Sequence, residues 1–293
     1  MIRVIKLALS IGYYASKRFW ALLIRMIGKK PPGTCVVLYY HSVKPEQRRR
    51  FAQQMDDLIR WTRPIRASLN EPLQNGVYYS AVTFDDGFIN VIDNALPELI
   101  QRRIPSTLFI TTGSLGKRPL WDIGRDNPDY EEICMTANQL RKLSSGFISI
   151  GSHTVTHPKL TRIDERMALC ELSDSKKQLE TILLRNVNLL SFPHGDHNDK
   201  IVKLSLRAGY KRVFTILPTF AFSKPGEYIT GRVKVDPEDW RLEFRLKLLG
   251  AYCWLPFAFA LKHKLLRYVR RLPGPVKTHK QVEINNEFVG PPI

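Results

Sequence analysis

Three stretches of this 293-residue chain hold residues whose types and spacing could do chemistry. In Ala81-Val82-Thr83-Phe84-Asp85-Asp86-Gly87 an apolar run ends in two adjacent carboxylates and a glycine. Two like charges side by side are costly to bury unpaired, which makes a metal or another cation a natural neighbour. Alone, Asp-Asp-Gly reads equally well as a surface turn, because glycine permits a tight reversal. The second stretch, Gly151-Ser152-His153-Thr154-Val155-Thr156-His157-Pro158, sets two imidazoles four residues apart in a polar segment. They can converge on one ion if the backbone turns between them. With one added carboxylate they make a mixed N/O ligand set suited to Zn²⁺, Co²⁺, Ni²⁺ or Fe²⁺. The third stretch holds Pro193-His194-Gly195 and His197. Pro193 and Gly195 would fix the backbone at a strand exit, leaving His194 and His197 to contact substrate or move protons.

These groups need elements to hold them. Val77 to Phe84 has the β-branched and aromatic content of a strand, and Val36 to Tyr40 is a second, with His41 at its end. Further strands are expected at 106–110, 147–150, 189–192, 212–216 and 232–235. Helices are expected from Arg48 through Ile59, over 91–100 with Pro97 as a kink or stop, and over 137–143 behind Thr136. Two more are expected over 163–184, opened by a Thr161–Asp164 capping box, and over 199–208, ended by Gly209. Strands alternating with helices indicate an α/β protein with mainly parallel strands. There is no GxGxxG and no Walker-type phosphate loop. A distorted (β/α) barrel of about seven strands would carry its active groups at the strands' C-terminal ends, where Asp85, Asp86, His153 and His194 fall. The irregular stretch 122–132 is long for a compact domain and is expected to border a binding site.

The 45 Lys and Arg outnumber the 27 Asp and Glu, giving a formal charge of +18 that suits polyanionic partners. No helix-turn-helix, zinc-finger or RNP-like pattern accompanies the excess, so no nucleic acid is expected. Cys35, Cys134, Cys170 and Cys253 form no CxxC pair and are compatible with a reducing compartment. Residues 1–33 read as a basic amphipathic segment without a clean cleavage signal. Residues 34–238 read as the barrel, and 239–293 as a second basic amphipathic segment with a loose tail. The two basic ends are expected to rest on an anionic membrane surface, placing the protein peripherally on the cytoplasmic side of an inner membrane.

The motifs carry a resemblance. From about Val36 to Val235 the chain resembles the polysaccharide deacetylases of the NodB-homology type, carbohydrate esterase family 4. Thr83–Gly87 is similar to the first motif of that family, Ser152–Pro158 to its second and Phe192–Gly195 to the centre of its third. The resemblance implies a distorted barrel, Asp85 as catalytic base, and Asp86, His153 and His157 as ligands of a divalent metal, most readily Zn²⁺. It also implies N-deacetylation of an N-acetylated carbohydrate, a cell-surface polysaccharide or its lipid-linked precursor. Two departures stand out. Ser191 occupies the place where the third motif commonly has the arginine that positions the base, and no late Leu-x-His supplies an acid. Arg232 could orient Asp85 or bind substrate, and His41 is expected on the floor or rim of the site. An impaired, carbohydrate-binding scaffold and a related deformylase or O-deacetylase are the alternative readings.

Overall fold

The computed structural model describes residues 2–143 and 146–261. One compact unit runs from Met1 to Pro256, and residues 257–261, the described part of the second unit, are helical. The last 32 positions, 262–293, lie outside the described residues, and with them the expected loose tail and the end of the second basic segment.

The first unit is built on a parallel sheet. Its main strands are β1 (Thr34–Tyr40), β3 (Tyr78–Phe84), β4 (Ser106–Ile110), β5 (Ile148–Ser152), β6 (Leu189–Ser191) and β7 (Arg212–Phe214). Three two-residue strands complete it: β2 (Arg63–Pro64), β8 (Ile229–Thr230) and β9 (Val233–Lys234). The order is β8-β7-β6-β5-β4-β3-β1-β9, with β2 beside β3. β8 pairs with β7 and β9 with β1, yet only Gly231 and Arg232 separate β8 from β9. The two edges of the curled sheet are therefore bridged by one short segment. Counting β8 and β9 as one stave gives seven main staves, the distorted barrel expected from the sequence.

Alternation decides what faces inward. Val36, Leu38 and Tyr40 of β1 join the larger core under the helices, while Cys35 and Val37 point into the barrel. On β3, Tyr79 and Ala81 are interior, and the same phase carries Thr83 and Asp85 inward. The flanking helices are α1 (Ile2–Met26), α2 (Arg48–Trp61), α3 (Leu96–Gln101), α4 (Ala137–Leu143), α5 (Glu165–Leu183), α6 (Asp199–Arg207) and α7 (Arg241–Leu248).

Two local expectations need correcting. The helix expected over 91–100 is a wide π turn at Val91–Ala95 followed by α3, with Pro97 in its first turn. Proline has no N–H to continue the ladder and crowds the preceding carbonyls, so the backbone widens before it. Thr161 does not cap α5. Asp164 does, accepting from Met167 N, while Thr161 donates its N–H and hydroxyl to Asp196. In the segment after residue 238, α7 packs Phe244 and Leu248 into the main core, and both Arg241 and Arg245 pair with the buried Asp57.

Candidate active site

Asp85 and Asp86 leave the end of β3 in opposite directions. Asp85 continues the inward phase of the strand, whereas Asp86 has φ 69° and Gly87 φ 78°, so the chain turns at once. A Cβ on Gly87 would stand 2.8 Å from Ile110 Cδ1, and only glycine fits that turn without displacing its neighbour. His153 follows β5 just as Asp85 follows β3. Its N–H donates to Ile110 O at 2.8 Å, extending the ladder by one residue.

Between the two histidines the backbone does turn. Thr154 and His157 have φ 66° and 62°. Glu171 of α5 holds this loop by accepting from Val155 N (2.8 Å), Thr156 N (2.9 Å) and Thr156 Oγ1 (2.6 Å). Asp86, Thr154, His157 and His194 are four of the seven non-glycine residues with positive φ among the described residues. Backbone strain of this kind gathers where a fold over-determines functional side chains.

The result is a buried triangle of donor atoms. His153 Nε2 and His157 Nε2 are 3.2 Å apart, and each lies 3.5 Å from Asp86 Oδ1. Those edges match the roughly 3.3–3.5 Å between ligand atoms around a tetrahedral ion bound at about 2.0–2.2 Å. Asp86 Oδ1 is buried without a hydrogen-bond partner, as an oxygen reserved for a cation would be. His153 donates Nδ1–H to Ser191 O at 2.7 Å, which leaves Nε2 as the free lone pair aimed into the triangle. Burial lowers the His153 imidazole to about 4, and burial with the neighbouring imidazoles lowers His157 further, so both rings are neutral ligands. Burial and the adjacent Asp85 charge push the Asp86 carboxyl well above its ordinary range. The donor set and its spacing fit a divalent metal.

Arg232 answers the question left by Ser191. It is fully buried, and all five of its N–H donors have acceptors. Nη1 donates to Asp85 Oδ1 (2.7 Å) and Thr83 Oγ1 (3.1 Å), Nη2 to Asp85 Oδ2 (2.8 Å) and Ser191 Oγ (2.7 Å), and Nε to Thr215 O (3.2 Å). Asp85 therefore does have an arginine partner. The guanidinium arrives from the seam between β8 and β9, and Ser191 is one of its acceptors. Burial alone would raise the Asp85 carboxyl, but the Arg232 charge and its hydrogen bonds hold it well below the usual carboxylate range.

Above these groups opens a cavity of about 570 Å³. Asp85, Asp86, His157, His41 and His194 reach it. His41, on the chain just past β1, stands edge-on to Tyr39, and burial lowers its imidazole. The His194 ring is 4.5 Å from that of His157, and its backbone has φ 57° within the Pro193–Gly195 turn. A Cβ on Gly195 would stand 2.4 Å from Ile216 Cγ1, which fixes glycine at that corner. His197 is placed elsewhere, stacked on Phe192 at 5.3 Å with Nδ1 against Gly195 O. Sequence reasoning missed Trp121, whose ring lies 4.5 Å from His157, and Asp129, which accepts from Ser42 Oγ. Asp129 belongs to the irregular stretch 122–132 and Trp121 immediately precedes it, so the length of that stretch was the one available signal. The basic excess of the chain is not found here. Asp122, Asp129 and Asp236 join Asp85 and Asp86 against Lys44 and Lys234.

Comparison with known proteins agrees with this geometry. Residues 75–213 match the family model described as polysaccharide deacetylase. The chain is 25% identical over 225 residues to YxkH of Bacillus subtilis, covering 72% of this chain and 75% of that one. It is 22% identical over 166 residues to poly-beta-1,6-N-acetyl-D-glucosamine N-deacetylases of Staphylococcus aureus, covering 54% of each, so it spans about half their length. Among solved structures, IcaB from Ammonifex degensii superposes with TM-score 0.62 at 25% identity, covering 74% of this chain and 98% of that one. The Streptococcus pyogenes deacetylase PplD shares the fold with TM-score 0.57 at 23% identity, covering 75% and 98%. In family model, in fold and in its buried Asp–His–His cluster, the chain matches the polysaccharide deacetylases of the NodB-homology type.

Proposed function

We propose that the protein is a metal-dependent hydrolase that removes the acetyl group from an N-acetylated sugar of a bacterial cell-surface polysaccharide or of its lipid-linked precursor. The observation that carries the reading is the buried Asp86–His153–His157 triangle beside an arginine-held Asp85 at one cavity. Zn²⁺ suits the donor set best, and Co²⁺, Ni²⁺ or Fe²⁺ could serve the same ligands. When bound there, the metal polarises the amide carbonyl and makes water a better nucleophile near neutral pH.

The residues of the chain do the rest. Arg232 keeps Asp85 ionised and fixed in orientation, and Asp85 takes the proton of the attacking water. The water oxygen bonds to the carbonyl carbon, the C–N bond breaks, and the nitrogen leaves with a proton, giving acetate and an amino sugar. His41 and His194 are the two imidazoles at the cavity that can take up a proton and hand it to that nitrogen, while His197 faces away from this task. Trp121 offers a flat apolar face to a sugar ring. The carboxylates of Asp122, Asp129 and Asp236 receive a neutral acetamido sugar without repulsion and favour the cationic amine it becomes. A β-linked N-acetylglucosamine oligomer is the first substrate to test, given the name of the staphylococcal relatives.

We place the protein at an anionic membrane surface on the cytoplasmic side of the inner membrane. Its four free cysteines, three of them buried, suit a reducing compartment. Mass spectrometry of N-acetylated oligomers after incubation tests the reaction. Loss of acetyl groups that stops with chelator and returns with Zn²⁺ is expected. Unchanged masses with the metal-loaded protein on every oligomer would leave the scaffold reading instead.

A further inference from the structure

The helix α1 is amphipathic the wrong way round for a surface helix of a water-soluble domain. It meets the domain through a narrow stripe: Leu7 and Tyr14 pack on Leu246, Ala251 and Tyr252, and Ser10 accepts a hydrogen bond from Trp254 Nε1 at 3.0 Å. At 3.6 residues per turn its five cations fall on the domain side or along its borders. Arg3 pairs with Glu243, Lys17 lies over Phe220, and Arg18 donates to Tyr78 Oη. The arc that points away from the domain carries no charged side chain. Val4, Leu9, Phe19, Leu22, Leu23 and Met26 are on it and exposed, Met26 to 74% and Phe19 to 63%. An ordinary surface helix turns its charges to water and its apolar stripe to the core.

We infer that this outer face of α1 is the lipid contact of the protein, lying lengthwise in the headgroup region of an anionic bilayer. Charge selects the occupant. Residues 1–30 hold seven Lys and Arg and no Asp or Glu, so cations border the apolar arc on both sides. Anionic headgroups complement that border. A second copy would bring seven more cations to the same seam and a formal charge of +18 against +18. No helix among the described residues is long and apolar enough to cross a membrane, which leaves α1 an interfacial rather than a spanning role.

The placement of α1 sets the orientation of the site. Its first turn is tied to Glu243 and to Glu238 O, beside the cavity-lining Asp236 and Pro237. Arg18 reaches Tyr78 at the opposite rim, where β3 begins, and Gly76 N donates to Pro31 O just beyond the helix. The helix, about 37 Å long, thus runs down the flank of the barrel against the strand direction. A bilayer along its whole length lies beside the barrel, and the cavity opens next to the surface and parallel to it. That a lipid-held glycan is thereby presented to Asp85 rests on the deacetylase reading; the lipid contact does not.

Sedimentation of the full chain with phosphatidylglycerol/phosphatidylethanolamine vesicles, against pure phosphatidylcholine, tests the contact. Wild type should pellet with the anionic vesicles, and Leu9→Glu or Leu23→Glu should weaken the partition roughly tenfold or more. The exposed Leu206→Glu on α6 should leave it unchanged. Unchanged binding of both α1 variants would overturn the inference. So would a wild-type dimer that either substitution converts to monomer, because the face would then belong to a second copy. In a Cys170→Ser background, environment-sensitive dyes on Leu9→Cys and Leu23→Cys should both blue-shift with anionic vesicles. A shift at one position alone would refute the lengthwise orientation. Vesicle binding needs no substrate, so failure to release acetate would leave this result standing.

Discussion

At the scale of single residues, the site rests on a division of labour between neighbours. Asp86 offers a buried, unpartnered oxygen to an ion, while both oxygens of Asp85 are held by Arg232. The pairing has consequences for stability. Arg232→Met would strand a buried carboxylate and should cost about 3–5 kcal/mol, read as a lower urea midpoint at pH 7. The folded-state pKa of Asp85 lies below its unfolded value, so the pair's contribution is fully present above about pH 4 and fades below it. The penalty of Arg232→Met should therefore shrink as unfolding is followed into acid; a penalty constant with pH would exclude an ionised Asp85 as its cause. The metal ligands were legible in the sequence because they sit within short motifs. The Asp85–Arg232 pair was legible only as one of two roles for Arg232, orienting Asp85 or binding substrate, since its members are 147 positions apart; the barrel brings them together.

At the scale of elements, strand ends and tight turns do the positioning. The inward phase of β3 delivers Asp85, and the strained turns after β3, β5 and β6 aim Asp86, His157 and His194. Gly87→Ala would put a methyl against Ile110 and a side chain at φ 78°, and should lower stability by about 1–2 kcal/mol while weakening metal retention. Metal content of the purified variant is the readout. The loop before α4 has no periodicity to read, so Trp121 escaped notice although the length of the irregular stretch did not. Trp121→Ala should raise KM for an oligosaccharide more than it lowers kcat; an equal fall in kcat with unchanged KM would remove Trp121 from substrate binding.

At the scale of the whole molecule, the parallel alternation of strands and helices gave away the barrel, and its closure could not be seen in advance. β9 lies within the strand expected at 232–235, but β8 is two residues long and too short for a strand pattern, and together they join the sheet edges and carry Arg232 inside. Charge tells a similar story. The total of +18 is plain in the composition, but only the fold shows that the charged residues lining the cavity are mainly aspartates and that α1 carries its cations beside an apolar face. Because the metal binds the folded site and not the unfolded chain, chelation should lower the melting temperature at pH 7.5, and Zn²⁺ should restore it. Asp86→Asn should abolish that response while leaving the chelated protein no less stable than the chelated wild type, since it removes a buried charge beside Asp85.

The most direct test of the account compares acetate release from an N-acetylglucosamine oligomer by wild type and Asp85→Asn, each shown by elemental analysis to carry equal metal. The account predicts metal-dependent release by wild type and a fall of about 10²–10⁴-fold in kcat for Asp85→Asn, with metal retained. Release by the metal-loaded Asp85→Asn protein at the wild-type rate would contradict it.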